Sequence, residues 1–260
     1  MKFIFTFYLL LLIPINSFAK KNDDDHKPLA DLKLILYKTK HYAPMPVDLD
    51  ASKSKAKDGK TLKAYEIDFG DGSPIVTKQD SVVRYVYEIL DDSRQKKFVV
   101  TLRVQDSDGV WSEPNKKTLI LTQIPEPGPT NNSTLLGVDI DGNGIRDDVD
   151  SYINSQFKNN TTVQRQAIRQ LAKFYQTNFV ASDDKQKLID LFKNDGSIYC
   201  LTAQFPNSNT VADITHKIQI QYVNTDLRAD AFSKIETNRS GMRYKLLQPA
   251  SLYPSKCSDF

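Results

Sequence analysis

The sequence predicts a multidomain chain, with an all-β sandwich followed by an all-α domain. Two observations predict this architecture: residues 32–123 hold short apolar–polar alternations separated by turn residues, and residues 151–260 carry apolar residues at helical spacing. A third observation marks the border between them, where a Pro-rich linker (124–138) is followed by an Asp-rich loop (139–150). A chain of 260 residues has room for two domains that each bury a core.

The N-terminal half contains segments with the period-two pattern of β-strands. Alternation is clear at Tyr65–Phe69 and Phe98–Val104, and these segments end at turn residues, Gly70–Pro74 and Asp106–Gly109. The predicted strands are 32–37, 46–50, 65–69, 82–87, 98–104 and 117–122. Short strands at this spacing predict a β-sandwich of about 90 residues.

Several residues of this half form a pattern that resembles the PKD (polycystic kidney disease) domain family. They are the segment Tyr65–Gly72 (Tyr-Glu-Ile-Asp-Phe-Gly-Asp-Gly), Tyr87, and the strand Val99–Asp106 with Gly109 after it. Glu66 departs from the family pattern, which affects core packing more than the fold. The resemblance implies an immunoglobulin-like sandwich, usually extracellular, that acts as a spacer or as a protein or carbohydrate contact module and is not an enzyme.

Two short features of the sandwich allow more than one interpretation. The triplet Asp68–Gly70 also occurs at the magnesium site of protein kinases, but no glycine-rich loop, paired lysine or His-Arg-Asp loop accompanies it. We therefore predict a structural turn with glycines at positive φ. Trp111, the only tryptophan, either contacts a sugar or partner protein or covers the end of the core.

The loop between the two halves has the composition of a calcium site. It crowds carboxylates within twelve residues, and calcium favours six to eight oxygen ligands that a short loop can supply. With Asp139 as position 1, the side chains at positions 1, 3, 5, 9 and 12 follow the spacing of an EF-hand loop, and Gly144 at position 6 permits the sharp turn. The predicted calcium ligands are Asp139, Asp141, Asn143, the Ile145 carbonyl, Asp147 and Asp150.

This loop departs from an EF-hand in its position 8, Arg146, and in lacking a preceding helix. It is more similar to a single copy of a thrombospondin type-3 repeat, which also implies calcium as the cofactor. The alternative is a turn in which Asp147 and Asp148 only complement the dipole of the following helix. If calcium binds, it neutralises the aspartates and fixes the angle between the two domains.

The C-terminal half is predicted to be helical and resembles no family known to us. A first helix carries Val149, Ile153 and Phe157 on one face, and Thr161 with Gln164 forms a capping box before a second. A third helix is predicted to begin at Ser182–Asp184, and a short fourth helix at 198–204. Residues 211–232 are predicted to form one long helix or two, although 218–223 also alternates like a strand.

The chain termini predict export. Residues 1–19 have a basic start, an apolar run and small residues before a cut after Ala19, so we predict a signal peptide, followed by a disordered polar leader at 20–31. The only two cysteines, Cys200 and Cys257, predict one disulfide that closes the helical domain. The expected location is the periplasm or the extracellular space, with no stable membrane span after cleavage.

The balance of charge and the lack of a catalytic motif limit the function classes. With 35 basic and 32 acidic residues, the chain lacks the basic excess of a nucleic-acid binder. His216 near Asp213 is the only acid–base candidate. We therefore expect a non-enzymatic binding or structural protein with a protein or glycan partner. The alternative is a small exported hydrolase, or a hydrolase accessory protein or inhibitor, with its site in the helical domain.

Overall fold

The structure, a computed structural model, describes residues 26–240. Its first half is built of eight strands, all within this described range. They are β1 (Lys33–Leu36), β2 (Tyr42–Ala43), β3 (Met45–Asp50), β4 (Leu62–Asp68), β5 (Val76–Lys78), β6 (Val82–Tyr87), β7 (Gln95–Asp106) and β8 (Asn115–Gln123).

The strands form two sheets that enclose a common apolar core. One sheet has the order β1-β3-β6 and the other has the order β2-β8-β7-β4-β5. All neighbouring strands are antiparallel except β2 and β8, which pair in parallel. Alternate residues of β3 and β7, such as Val47, Leu49, Val100 and Leu102, are buried between the sheets, which is the period-two burial of a sandwich.

The predicted strands are all present, and two further strands are too short to leave a periodic pattern. β2 has two residues and β5 has three, and each pairs at the side of a longer strand. The predicted disordered leader also differs from the structure over residues 26–31. There Leu29 exchanges backbone hydrogen bonds with Lys55, and Ala30 is buried, because backbone pairing and apolar contact hold this segment on the sandwich.

The second half contains six α-helices within the described residues. They are α1 (Asp147–Gln156), α2 (Thr162–Val180), α3 (Lys185–Asn194), α4 (Ser197–Gln204), α5 (Ser208–Tyr222) and α6 (Asp226–Arg239). The Thr161–Gln164 capping box forms as predicted, with both reciprocal hydrogen bonds. The ambiguous segment is helical in α5, and the side chain of Thr225 caps the separate helix α6. The coarse prediction of an all-β part followed by an all-α part is confirmed.

The buried apolar residues form two clusters, one in the sandwich and one among the helices. Ile145 and Val149 belong to the helical cluster and are fully buried, so the Asp-rich loop is anchored in the second half. The exact domain boundaries stay predictions.

The predicted linker is held in place more tightly than its polar sequence suggests. A short 3-10 helix, Pro129–Asn132, lies inside it. The fully buried guanidinium of Arg228 on α6 donates hydrogen bonds to the carbonyls of Asn131, Thr134 and Leu135. One buried arginine thereby satisfies the backbone of a segment that has little apolar side chain to bury.

Several predictions concern residues outside the described range. The signal peptide (1–19) and residues 20–25 of the leader lie outside it. Cys200 is fully buried in the helical core, but its predicted partner Cys257 also lies outside the described residues, so the disulfide stays a prediction. Between residues 26 and 240, no helix combines the length and the apolar character that a membrane crossing requires.

Candidate metal centre

Three of the predicted calcium ligands converge in the structure. One carboxylate oxygen from each of Asp139, Asp141 and Asp147 lies within 4.8 Å of the others. Asp139 and Asp141 lie in the loop, whereas Asp147 is the first residue of α1. Like charges at this spacing repel each other strongly away from water, so the cluster calls for a positive charge among them.

Backbone N–H groups of the loop orient these three carboxylates. Asp139 accepts hydrogen bonds from the N–H groups of Asn143 (3.1 Å) and Gly144 (2.9 Å). The same Asn143 N–H also donates to Asp141 (3.0 Å). Asp147 accepts from the N–H of Ile140 through both carboxylate oxygens (3.0 and 3.2 Å). Gly144 has φ +83°, as the predicted sharp turn requires. The chain therefore wraps around the carboxylates and directs them to one place.

The negative charge of the cluster is only partly compensated, by Lys38. Asp141 is 8% exposed, and its Oδ2 atom is buried without a hydrogen-bond partner. Burial raises the pKa of Asp141 to about 7 against the opposing charge of Lys38, and Asp139 and Asp150 raise it further. Burial, together with the other loop carboxylates, also raises the pKa of Asp147 to about 6. Both shifts have the cause expected where negative charge is buried without full compensation.

One lysine of the sandwich reaches this cluster. Lys38, in the segment between β1 and β2, donates to the Asp141 carbonyl at 2.8 Å. The Lys38 ammonium also lies 3.6 Å from Asp141 Oδ2, an ion pair without a hydrogen bond. A cation from the first half of the chain thus contacts the loop that begins the second half.

The remaining predicted ligands are not directed at the three carboxylates. Asp150 is fully buried, accepts from Arg169 at 2.8 Å, and accepts from the side-chain amide of Asn143. The Asn143 Oδ1 atom accepts from the N–H of Ile145 at 2.7 Å. In this structure Asp150 and Asn143 therefore brace the loop, and their role as ligands stays a prediction.

Asp150 belongs to a buried ion network that sequence reasoning missed. Glu88, which follows β6 in the sandwich, accepts from Arg165 (2.5 and 3.1 Å) and from Arg169 (2.6 Å) of α2. Arg169 also bonds Asp150, so one guanidinium joins the sandwich to the Asp-rich loop. Burial alone would raise the pKa of Glu88, but the two arginines hold it below its usual value.

A local signal for this network exists in the sequence of α2. Arg165 and Arg169 are four residues apart, so they share one helix face with the buried Ile168 and Ala172. Arginines on the buried stripe of a helix need anionic partners. Arg146, the unusual residue of the loop, is also buried and has an anionic partner, Asp148; it lies against the ring of Tyr222 and donates to the Gln221 carbonyl.

The donor set of the three-carboxylate cluster fits a hard cation. Its potential ligands are carboxylate oxygens, the type that calcium and magnesium prefer, and one of these oxygens, Asp141 Oδ2, has no hydrogen-bond partner. Asp139, Asp141 and Asp147 are the residues that would hold such an ion.

The other candidate residues are found in structural settings. Gly70 has φ +73°, and a Cβ there would lie 2.4 Å from the Val99 carbonyl oxygen, so the Asp68–Gly70 turn requires glycine as predicted. The guanidinium of Arg103 covers one face of Trp111 at 5.3 Å from the ring centroid, and Arg103 pairs with Glu66. A contact role for Trp111 stays a prediction.

His216, the acid–base candidate of the helical half, is exposed on α5. Its neighbour Asp213 forms an ion pair with Lys217 at 2.7 Å. His216 therefore has no orienting carboxylate in this pair, and the arrangement gives no support to general acid–base chemistry there.

Comparisons with known proteins find structural similarity over part of the chain. No family model matches the chain, and no curated protein matches it significantly. Among solved structures, the PKD1 domain of Vibrio anguillarum Epp is 21% identical, covering 38% of this chain and 96% of that one, with a TM-score of 0.28. The PKD1 domain from the Vibrio cholerae metalloprotease PrtV gives 21% identity over 37% of this chain and 99% of that one, with a TM-score of 0.28.

A third structure, from work on carbohydrate-binding modules of the β-sandwich superfamily, is 24% identical over 41% of this chain, which corresponds to 38% of that one. Its TM-score is 0.33. At TM-scores this low, the similarities leave both the family and the function of the chain open.

Proposed function

We propose that this chain is an exported, non-enzymatic binding protein whose two halves are joined at a calcium-binding loop. The single observation that carries the metal site is the convergence of Asp139, Asp141 and Asp147 around a buried Asp141 oxygen with no hydrogen-bond partner. A buried unsatisfied carboxylate oxygen is costly, and a divalent cation removes this cost while offsetting the mutual repulsion of the carboxylates.

The proposed role of the ion follows from what surrounds the loop. On one side, Lys38 of the sandwich contacts Asp141. On another, Arg169 bridges Asp150 of the loop and Glu88 of the sandwich. A cation that fixes the loop therefore favours one position of Asp150, and through Arg169 one position of the sandwich.

The binding role of the sandwich rests on the PKD-like residue pattern described above and is part of the proposal, as is export. The sandwich would present the partner-binding surface, and the helical half would provide a second surface or a rigid base. The partner class is protein or glycan.

Calcium titration of the protein lacking residues 1–19 tests the metal site. We expect saturable heat in a calorimeter and a rise in the melting temperature, because an ion at a hundredfold excess over its Kd stabilises the folded state by about 2.7 kcal/mol. Amide exchange at Asn143 and Gly144 should slow on calcium addition, since their N–H groups bond the ligating carboxylates.

Asp147→Asn removes one carboxylate of the cluster and should abolish both the heat and the thermal shift. The matched control is Asp108→Asn, which removes a solvent-exposed carboxylate paired with Lys60 and should leave calcium binding unchanged. The metal site is rejected if the unaltered protein shows neither heat nor a thermal shift at millimolar calcium.

Small-angle scattering separately tests whether calcium fixes the orientation of the two halves. We expect the chelated protein to populate a broader range of overall dimensions than the calcium-loaded one. Binding of calcium with an unchanged scattering profile would retain the site but reject its role in orienting the two halves.

A further inference from the structure

We propose that the groove between β1 and the free edge of β8 binds an extended, acidic segment of a partner protein by adding it as a strand. This surface is separate from the Asp-rich loop and independent of calcium. It would be the partner-binding face of the sandwich, so it deepens the binding role proposed above.

The edge of β8 opposite β7 has no strand partner among residues 26–240 over most of its length. β7 pairs with Asn115–Thr122 on one side, whereas β2 covers only Thr122 and Gln123 on the other. The Thr122 N–H donates to the His41 carbonyl on the β2 side. Because successive residues of a strand direct their backbone groups to opposite edges, Thr118 and Ile120 present N–H and C=O groups at this same edge.

A groove of about 600 Å³ lies along this edge, between the two sheets. Its floor contains the buried side chains of Leu32 and Leu119, and the half-buried Leu34 and Leu36 of β1 line its wall. Ile120 is 47% exposed beside it. An added strand would bury alternate apolar side chains here while its backbone bonds the edge, as in strand-addition complexes.

The charges around the groove select an acidic occupant. Lys33, Lys53 and Lys117 line the groove, together with one carboxylate, Asp31. Asp50, opposite Lys33 in the β1–β3 register, interacts electrostatically with Lys33 and Lys53, so the groove has three lysines against two nearby carboxylates. Lysines at a sheet edge discourage neutral edge-to-edge association. A second copy of this chain would bring the same lysines to the contact, so charge repulsion disfavours self-pairing and favours a strand that carries Asp or Glu.

The test uses a capped peptide of about seven residues that alternates glutamate and valine, the length of an ordinary edge strand. Binding to the protein lacking residues 1–19 is measured by fluorescence polarisation at low and high salt. We expect saturable binding that weakens with salt, and no binding of the equivalent lysine–valine peptide. Amide exchange is the structural readout, because Thr118 and Ile120 gain hydrogen-bond acceptors only if the peptide adds as a strand.

The variant Lys33→Glu/Lys117→Glu should weaken peptide binding at least about tenfold, since it reverses two charges at the groove. Lys78→Glu, on β5 at the opposite edge of the same sheet, is the matched control and should change the affinity less than about twofold. Thr118→Pro, compared with Thr118→Ala, removes an edge donor and should weaken binding without altering the far-ultraviolet spectrum.

Three results would overturn the proposal. The first is the absence of peptide binding, and the second is binding without protection of Thr118 and Ile120, which would indicate simple charge attraction. The third is concentration-dependent protection of these amides without peptide, which would assign the edge to a second copy of the chain. None of these results depends on whether the Asp-rich loop binds calcium.

Discussion

Two groups of largely buried charges, in which Asp139 is the least buried carboxylate of its group, lie near the junction of the sandwich and the helices. They differ in how their charge is balanced. In the first, Glu88 faces Arg165 and Arg169, and Arg169 also pairs with Asp150. In the second, Asp139, Asp141 and Asp147 face one another, and the ammonium of Lys38 is 3.6 Å from the buried Asp141 oxygen.

The pKa shifts in the two groups have opposite directions. The pKa of Glu88 lies below its usual value because two guanidinium groups outweigh its burial. The pKa values of Asp141 and Asp147 rise to about 7 and about 6, because burial and neighbouring carboxylates outweigh Lys38 and the backbone hydrogen bonds. A buried charge that the chain neutralises itself contributes to the fold, whereas a buried charge that it leaves unbalanced marks a place for a ligand.

The largest expected effect is at Glu88. Glu88→Gln leaves two buried guanidinium groups facing a neutral amide, and we expect a loss of about 3–5 kcal/mol in the free energy of unfolding, measured by urea denaturation. The control is Glu66→Gln, whose partly exposed pair with Arg103 should contribute less than about 1 kcal/mol. A loss equally small at both positions would mean that the network does not stabilise the junction.

Neutralising Asp141 should not destabilise the protein when metal is absent, in contrast to neutralising Glu88. In chelator, Asp141→Asn removes an unbalanced buried charge, so we expect the free energy of unfolding to stay constant or to rise by about 1–3 kcal/mol. In calcium the same variant should lack the stabilisation shown by the unaltered protein. If the variant unfolds as easily in chelator as Glu88→Gln, the cluster is structural and the two groups of charges are alike.

The features that sequence reasoning found are local ones. Alternation identified β3 and β7, and the reciprocal bonds of Thr161 and Gln164 connect residues three positions apart, so both could be predicted from short windows. The carboxylates Asp139, Asp141 and Asp147 were identified for the same reason, since they lie in one loop.

The features that sequence reasoning missed depend on long-range pairing. Asp150 lies at an EF-hand ligand position, but its bond to Arg169 spans 19 residues, and Glu88 lies 81 residues before Arg169. The polar composition of the linker gives no sign of the hydrogen bonds that hold it, because Arg228, which donates to its carbonyls, follows 93 or more residues later. In each case the partner was chosen by tertiary packing, which no local pattern encodes.

The smallest predicted effect concerns Lys38, whose hydrogen bond and charge have different consequences for the loop. Its bond to the Asp141 carbonyl joins the sandwich to the loop, whereas its charge opposes an incoming cation. Lys38→Gln keeps a donor and removes the charge, so we expect calcium to bind about three- to tenfold more tightly at low salt, with the gain shrinking as salt screens the charge. Lys40→Gln, at an exposed lysine of the same segment, is the control and should leave the affinity unchanged. Weaker calcium binding in Lys38→Gln would show that this lysine helps to build the site, and Lys38 would then belong with the balanced charges around Glu88.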